Sequence, residues 1–195
     1  MTNKKIFSIR LLLCFLCLST LGCGQMFKPA IDKDQALKDV KVLAITGWQE
    51  VISDQGRFRI LFPREPEIIN IGNRPGAMYG YRLIDGETNW FAQYQDLGGE
   101  VPGGEKQLRN AYQKSVEAVI KKRGAKLLRQ SDAVLNGRLG TEFITEVQGS
   151  VTYTRAFQIH SRLYTVEVDS KRAVNRDSTL PRDVQQFFDS FTFWE

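Results

Sequence analysis

The stretch KLLRQSDAVLNGRLGTEFITEV, residues 126–147, decides the fold of this chain. Two strand-like runs, Lys126–Leu135 and Leu139–Val147, flank the dipeptide Asn136-Gly137. A tight two-residue hairpin turn needs positive φ at both central residues, and Asn-Gly adopts that conformation readily. The stretch therefore predicts two long antiparallel strands joined by a tight turn.

Further strands are predicted on both sides of this hairpin. Val151–Ile159 and Leu163–Val168 follow after the short turns Gly149-Ser150 and His160-Ser161-Arg162, so four consecutive strands make an antiparallel meander. Upstream, three more runs have strand character, and Asp85-Gly86 joins the last two as a second hairpin signal. These runs are Phe58–Phe62, Ala77–Ile84 and Thr88–Leu97.

Two segments show the helical spacing of apolar residues. Glu105–Arg123 carries an apolar stripe and is followed by Gly124, where a helix is expected to stop. Pro181 opens a shorter helix. The stripes are Leu108, Tyr112, Val116, Val119 and Ile120, then Val184, Phe187, Phe188 and Phe191. The predicted fold class is α+β, an antiparallel meander with a long central helix and a short C-terminal helix packed on it.

Charged residues on the predicted strands need an explanation. Arg155 shares a strand face with apolar neighbours, so we expect it at a sheet edge or against a carboxylate. Glu142 and Glu146 lie on one side of a strand, about 13 Å apart by the strand rise. That separation is too large for two carboxylates that act on one bond. We interpret both as marking the solvated face.

The N-terminal segment, residues 1–22, is built like a bacterial export signal. Its basic start precedes an uncharged run, residues 11–22, that is shorter than the roughly 20 apolar residues of a membrane-spanning helix. Gly22 before Cys23 resembles the lipobox of bacterial lipoproteins, which implies cleavage between these residues and lipid attachment (a diacylated thiol) at Cys23. An ordinary secretory signal cleaved nearby and an uncleaved anchor are the alternatives.

The resemblance to lipoproteins sets the expected organisation and location. Residues 23–46 would form the lipidated N-terminus and a flexible tether, and residues 47–195 a single α+β domain. Two or three acyl chains hold a protein at a membrane without a spanning helix. We therefore expect a lipid-anchored protein of the cell envelope. Gly24 in place of Asp after the cysteine favours the periplasmic side of the outer membrane if the organism is Gram-negative.

Charge and cysteine content exclude several functional classes. The chain has 27 Lys plus Arg against 22 Asp plus Glu, but residues 1–22 hold three basic and no acidic residues, which leaves 24 against 22. This near balance gives no support to nucleic-acid binding. Cys14 and Cys17 leave with the signal, so no disulfide or cysteine-ligated metal site remains, and we expect no cofactor.

Two sequence features that suggest catalysis or phosphate binding have simpler explanations. His160 is the only histidine, lies in a predicted turn and has no Gly-x-Ser-x-Gly motif beside it, so we expect a solvated turn residue and no enzyme activity. Residues 98–106 (GGEVPGGEK) resemble a phosphate-binding loop in their place between strand and helix. Glu105 stands where a phosphate-binding loop needs lysine, and no Ser or Thr follows Lys106. We therefore interpret these residues as an exposed glycine-rich loop.

One basic cluster, Lys121-Lys122-Arg123, closes the long predicted helix. Cations are favourable at a helix C-terminus because they complement the macrodipole. Contact with anionic lipid headgroups is the functional alternative, and these three residues are its candidates.

Four short pieces occur in an order that resembles bacterial envelope proteins of the PsbP-like α/β/α-sandwich group, which includes the extrinsic P subunit of the photosystem II oxygen-evolving complex. The pieces are Trp48 with residues 57–63 (RFRILFP), 139–143 (LGTEF), 162–166 (RLYTV) and 187–191 (FFDSF). The resemblance covers residues 47–194 and implies the fold, an accessory or binding role and no catalytic apparatus. No functional residue of the photosynthetic subunit matches a position here.

Two functional hypotheses follow. The first is a non-enzymatic, membrane-tethered accessory or binding module with a protein partner in the envelope. The second is a carrier that holds a small hydrophobic or lipid ligand between helix and sheet.

Overall fold

Two antiparallel sheets and two helices make up the computed structural model, which describes residues 43–45, 47–71, 77–99, 104–171 and 180–194. In chain order the elements are β1 (Leu43–Ile45), β2 (Trp48–Ser53), β3 (Phe58–Phe62), β4 (Glu67–Ile71), β5 (Met78–Asp85), β6 (Thr88–Asp96), α1 (Gly104–Arg123), β7 (Lys126–Leu135), β8 (Arg138–Val147), β9 (Ser150–Ile159), β10 (Arg162–Ser170), α2 (Arg182–Ser190) and β11 (Thr192–Phe193). The α+β class predicted from the sequence is confirmed.

The larger sheet has seven strands in the order β4-β5-β6-β10-β9-β8-β7. The predicted meander is confirmed in β7 to β10, and Asn136 and Gly137 at its first turn have φ values of 51° and 73°. The β5–β6 hairpin turns one residue later than predicted, at Gly86 and Glu87, because Asp85 pairs with Thr88. β6 then pairs with β10, which attaches this hairpin to the far side of the meander.

The smaller sheet has the order β1-β2-β3-β11. The alternation predicted for Phe58–Phe62 is confirmed, because Phe58, Ile60 and Phe62 are fully buried on one face of β3. Strand pairing begins with Leu43, inside the segment that the sequence analysis assigns to the tether. The short β11 pairs with β3 and brings the chain back to this sheet after α2.

Aromatic side chains fill the space between the two sheets. Phe58 on the smaller sheet packs against Tyr81, Tyr94 and Tyr164 of the larger sheet, with ring centroids 6.0–6.3 Å apart and the rings edge-on. Such edge-to-face pairs contribute about 0.5–1.5 kcal/mol each beyond the area that they bury. Phe58 therefore joins the two sheets at several points.

The two helices lie on the larger sheet and at the side of the smaller one. α1 buries Tyr112, Val116 and Val119 of its predicted stripe against the face of the larger sheet that points away from the smaller one. α2 buries Val184, Phe187 and Phe188, and Phe191 is buried just after the helix ends. Among the described residues, no helix combines the length and apolarity that crossing a bilayer requires.

We expect Phe58→Ala to lower the free energy of unfolding by about 3–5 kcal/mol, because it leaves a cavity where four other rings now meet. Equilibrium denaturant unfolding of the purified protein measures the change. Ile84→Ala is the control, because Ile84 is 58% exposed and its truncation should cost about 0.5 kcal/mol or less. Equal effects of the two substitutions would contradict the central role of Phe58.

Candidate functional site

A group of four charged residues lies on the face of the larger sheet that α2 approaches. Glu142 on β8 stands directly opposite Arg155 on β9, and the Arg155 Nε donates a 2.6 Å hydrogen bond to Glu142 Oε2. Arg155 Nη1 donates a 3.0 Å hydrogen bond to Asp189 Oδ1 on α2. The expectation that Arg155 meets a carboxylate is confirmed, and because β9 lies inside the sheet, the edge position is excluded.

Arg129 on β7 completes the group by pairing with the other carboxylate oxygen of Glu142. Glu142 is only 6% exposed, so its interpretation as a solvated residue is wrong. The physical reason is that β7 extends the sheet beyond β8 while α2 covers this face, which places position 142 in the interior. The sequence singles out Arg155 as unusual but does not identify Glu142 as its partner. An acidic residue at an inward strand position next to an inward arginine was the available signal.

Three of these four residues, Glu142, Arg155 and Asp189, line a groove of about 440 Å³. β7 forms one wall with residues 131–135, and Phe188 and Asp189 of α2 form part of the other. β7 is a terminal strand of its sheet, and its outer edge pairs with no other described strand. Such an edge presents backbone N–H and C=O groups to an approaching chain.

The charged side chains in the groove are better suited to holding a bound partner in place than to transferring protons. Both guanidinium groups donate hydrogen bonds to the two carboxylates, so the four groups are already paired with one another. Burial raises the pKa of Tyr153, two residues before Arg155 on the same strand face, so its phenol stays neutral at pH 7. The Arg155 guanidinium also lies over the Phe188 ring, 4.9 Å from its centroid. The groove is therefore a preorganised polar surface.

The three residues at the end of α1 that are predicted to contact lipid headgroups differ in their exposure. Lys121 and Lys122 are exposed. The Arg123 side chain is only 16% exposed and lies 3.6 Å from the Glu167 carboxylate on β10, so it is directed toward the sheet. Burial raises the pKa of Glu167, although the positive charge of Arg123 and a hydrogen bond from Thr154 oppose this.

The remaining site predictions fall in different places. His160 lies exposed in the β9–β10 turn, as predicted from the sequence, and it lines a second cavity of about 260 Å³ that no sequence pattern predicts. Cys23, the cleavage site after Gly22, residues 1–22 and the tether up to residue 42 lie outside the described residues, as do residues 100–103 of the glycine-rich loop. Within the described ranges, His, Cys, Asp and Glu side chains form no group of three or more that would hold a metal ion.

The fold and the groove together define a class of protein: a two-sheet α+β module with a groove of mutually paired charges. No protein-family model matches the chain, and no curated protein matches it.

Solved structures give two likenesses. The chain is similar to the solution structure of cyanobacterial PsbP (CyanoP) from Synechocystis sp. PCC 6803, with a TM-score of 0.57 and 15% identity over 78% of this chain and 95% of that one. The crystal structure of the Ran-binding protein Mog1p from Saccharomyces cerevisiae gives a TM-score of 0.46 and 13% identity over 75% and 95% of the two chains, too distant to support an inference. The first likeness confirms a PsbP-like fold, as the sequence resemblance implied.

We expect Glu142→Gln to lower the free energy of unfolding by about 2–3 kcal/mol, because Arg129 and Arg155 would lose the carboxylate that they share. Denaturant unfolding at neutral pH measures the loss. Glu146→Gln, on the same side of the same strand, is the matched control and should cost about 0.5 kcal/mol or less. A Glu142→Gln variant as stable as the Glu146→Gln variant would contradict the proposed pairing.

The raised pKa of Glu167 predicts a pH-dependent contribution to stability. A carboxyl whose pKa is higher in the folded state binds a proton on folding, so its stabilising effect is present below the ordinary value of 4.5 and is lost as pH rises through the folded-state pKa. Glutamine cannot titrate. The difference in unfolding free energy between the wild type and Glu167→Gln should therefore move in favour of the wild type as pH falls from alkaline values toward 4.5. Denaturant unfolding of both proteins across this range tests it, and a constant or opposite difference contradicts it.

Proposed function

We propose that this chain is a non-enzymatic, lipid-anchored accessory module of the cell envelope that binds a protein partner through the groove between β7 and α2. The observation that carries the binding role is the groove itself, an open surface where a terminal strand lies beside charges that are already paired. An extended segment of a partner would pair with the β7 backbone, and the rigid side chains of Arg155 and Asp189 would set its register.

The anchor is proposed from the sequence. Gly22-Cys23 after a basic start and an uncharged run is the pattern of a lipoprotein signal. The exposed Lys121 and Lys122 would add contacts with anionic headgroups, each worth roughly 1 kcal/mol near such a surface. Arg123 contributes less to this proposal because it lies against Glu167.

Packing of α1 on the sheet weighs against the carrier hypothesis. Val116 and Val119 lie in one buried cluster with Phe143, Ala156 and Leu163, so the described side chains fill the space where a ligand between helix and sheet would sit. Half of the residues that line the groove and six of the eight that line the smaller cavity are polar or charged, whereas sites for apolar ligands are lined mostly by apolar and aromatic side chains.

The experiment combines membrane fractionation with cross-linked affinity purification of the full-length protein from its own cells. Cys23→Ser should move the protein from the membrane fraction to the soluble fraction. Val134→Glu places a charge on the terminal strand β7, where a charge opposes the pairing of a further strand, at a residue that is 71% exposed and needs no repacking. The matched control is Ile84→Glu, at an exposed residue outside the groove.

We expect a stoichiometric partner with the wild type, at least a tenfold loss of it with Val134→Glu and unchanged recovery with Ile84→Glu. The lipid anchor and partner binding through the groove are tested independently of each other. Membrane retention of Cys23→Ser would refute the lipid anchor. The same partner recovered equally with Val134→Glu, or no stoichiometric partner at all, would refute binding through the groove.

A further inference from the structure

The second cavity lies where four parts of the chain meet: the turn between β2 and β3, the end of β6, the turn between β9 and β10, and the residue after β11. Its volume of about 260 Å³ is below the 300–1,000 Å³ of typical drug-sized ligand sites. That volume suits a single side chain or a small organic acid. The charges and the backbone conformations around it point to a specific ligand chemistry.

Arg162 forms a fixed wall of this cavity. Its Nε and Nη2 donate hydrogen bonds of 2.7 and 3.3 Å to the two carboxylate oxygens of Asp96, and its Nη1 donates one of 2.9 Å to the Gln55 carbonyl. The guanidinium also lies over the Tyr94 ring, 4.5 Å from its centroid. Asp96 is therefore occupied by Arg162, and neither is available to neutralise a further charge.

Arg57 adds a second positive charge that no described carboxylate balances. It lines the cavity, yet its side chain forms no ion pair or hydrogen bond with the described residues. Burial raises the pKa of Tyr164, and the positive charges of Arg162 and Arg57 oppose that rise, so both guanidinium groups act on the same hydroxyl. Among the described residues that line the cavity, Arg57 and Arg162 against Asp96 give a net charge of +1, with His160 left uncounted.

The backbone presents Arg57 in an unusual way. Its φ is 54°, in the left-handed region that non-glycine residues seldom adopt, and such positions concentrate at functional sites. Two backbone hydrogen bonds hold it there: the Arg57 N–H donates to the Asp54 carbonyl, and the Trp194 N–H donates to the Arg57 carbonyl. His160, which lines the same cavity, also has a left-handed φ, of 52°.

Two further groups complete a site for an anion with an apolar body. The Ser161 hydroxyl lines the cavity and forms no hydrogen bond with the described residues, so it is free to donate one. Trp194 is 39% exposed and offers a flat apolar surface beside the charges. An arginine, a hydroxyl and an aromatic ring are together suited to a carboxylate on a small apolar group.

We propose that this cavity binds a carboxylate, which Arg57 recognises through charge-assisted hydrogen bonds while Trp194 packs against the rest of the ligand. The carboxylate belongs either to a free small acid or to an acidic side chain of another protein, and the chemistry is the same. This site is separate from the groove and does not depend on the function proposed for it.

The test titrates the full-length protein in detergent with benzoate, with the uncharged isostere benzamide, and with the peptide Ac-Gly-Glu-Gly-NH2. The readout is the NMR signal of the Trp194 indole N–H, assigned with Trp194→Phe, while the buried Trp90 serves as an internal reference. Arg57→Asn removes the charge and keeps a residue that tolerates left-handed φ. Arg64→Asn, at an exposed arginine outside the cavity, makes the same charge change as a control.

We expect benzoate to shift the Trp194 signal saturably and benzamide to leave it unchanged. Arg57→Asn should weaken carboxylate binding about tenfold, and Arg64→Asn by less than twofold. Stronger binding of the peptide assigns the site to an acidic side chain of a protein, and stronger binding of benzoate assigns it to a free acid.

Three results would overturn the proposal. They are the absence of a saturable shift with both carboxylates, equal shifts with benzoate and benzamide, and wild-type affinity in Arg57→Asn. Denaturant unfolding shows whether Arg57→Asn is folded. If it is not, the comparison of benzoate with benzamide on the wild type decides.

Discussion

Aromatic packing of the segment 182–194 is the interaction on which both candidate sites depend. Phe187 packs against Phe62 and Trp90, with ring centroids 5.1 Å apart in each pair, and this fixes α2 against both sheets. After the helix, Phe191 and Phe193 pack on Tyr164 and guide the chain along the smaller sheet. Asp189 thereby reaches the groove, and Trp194 reaches the second cavity. One packed segment therefore builds a wall of each site.

The charged residues of the groove do more to select one pairing of the strands than to raise the free energy of unfolding. A buried ion pair gains little net free energy over well-packed apolar residues, because the loss of hydration offsets much of the attraction. Removing one partner is costly, since the others remain buried without it. Glu142 has two arginines to satisfy, and a register slip of β8 by one residue would place its side chain on the opposite face. The group therefore selects one pairing of β7, β8 and β9.

Local sequence signals predicted the hairpins and helices, because a turn such as Asn136-Gly137 and the spacing of Val184, Phe187 and Phe188 depend on neighbouring residues alone. The strand pairing of the smaller sheet could not be predicted from such local signals. Its partners are far apart in sequence, as the pairing of Phe193 with Phe58 shows, and a strand as short as β11 has no periodicity of its own. For the same reason Arg155 was predicted to need a carboxylate, while neither Glu142 nor Asp189 was identified as its partner.

The groove and the cavity contain a similar arrangement of side chains but differ in net charge. This difference suits them to different ligands. In each, an arginine pairs with carboxylates and lies over an aromatic ring: Arg155 over Phe188 in the groove, and Arg162 over Tyr94 in the cavity. In the groove, Glu142 and Asp189 pair with Arg129 and Arg155, and Asp132, which also lines the groove, pairs with Arg109, so an added ion would meet no uncompensated charge. In the cavity, Arg57 remains after Arg162 and Asp96 have paired. The groove is therefore suited to the neutral backbone of an extended chain, whereas the cavity is suited to an anion.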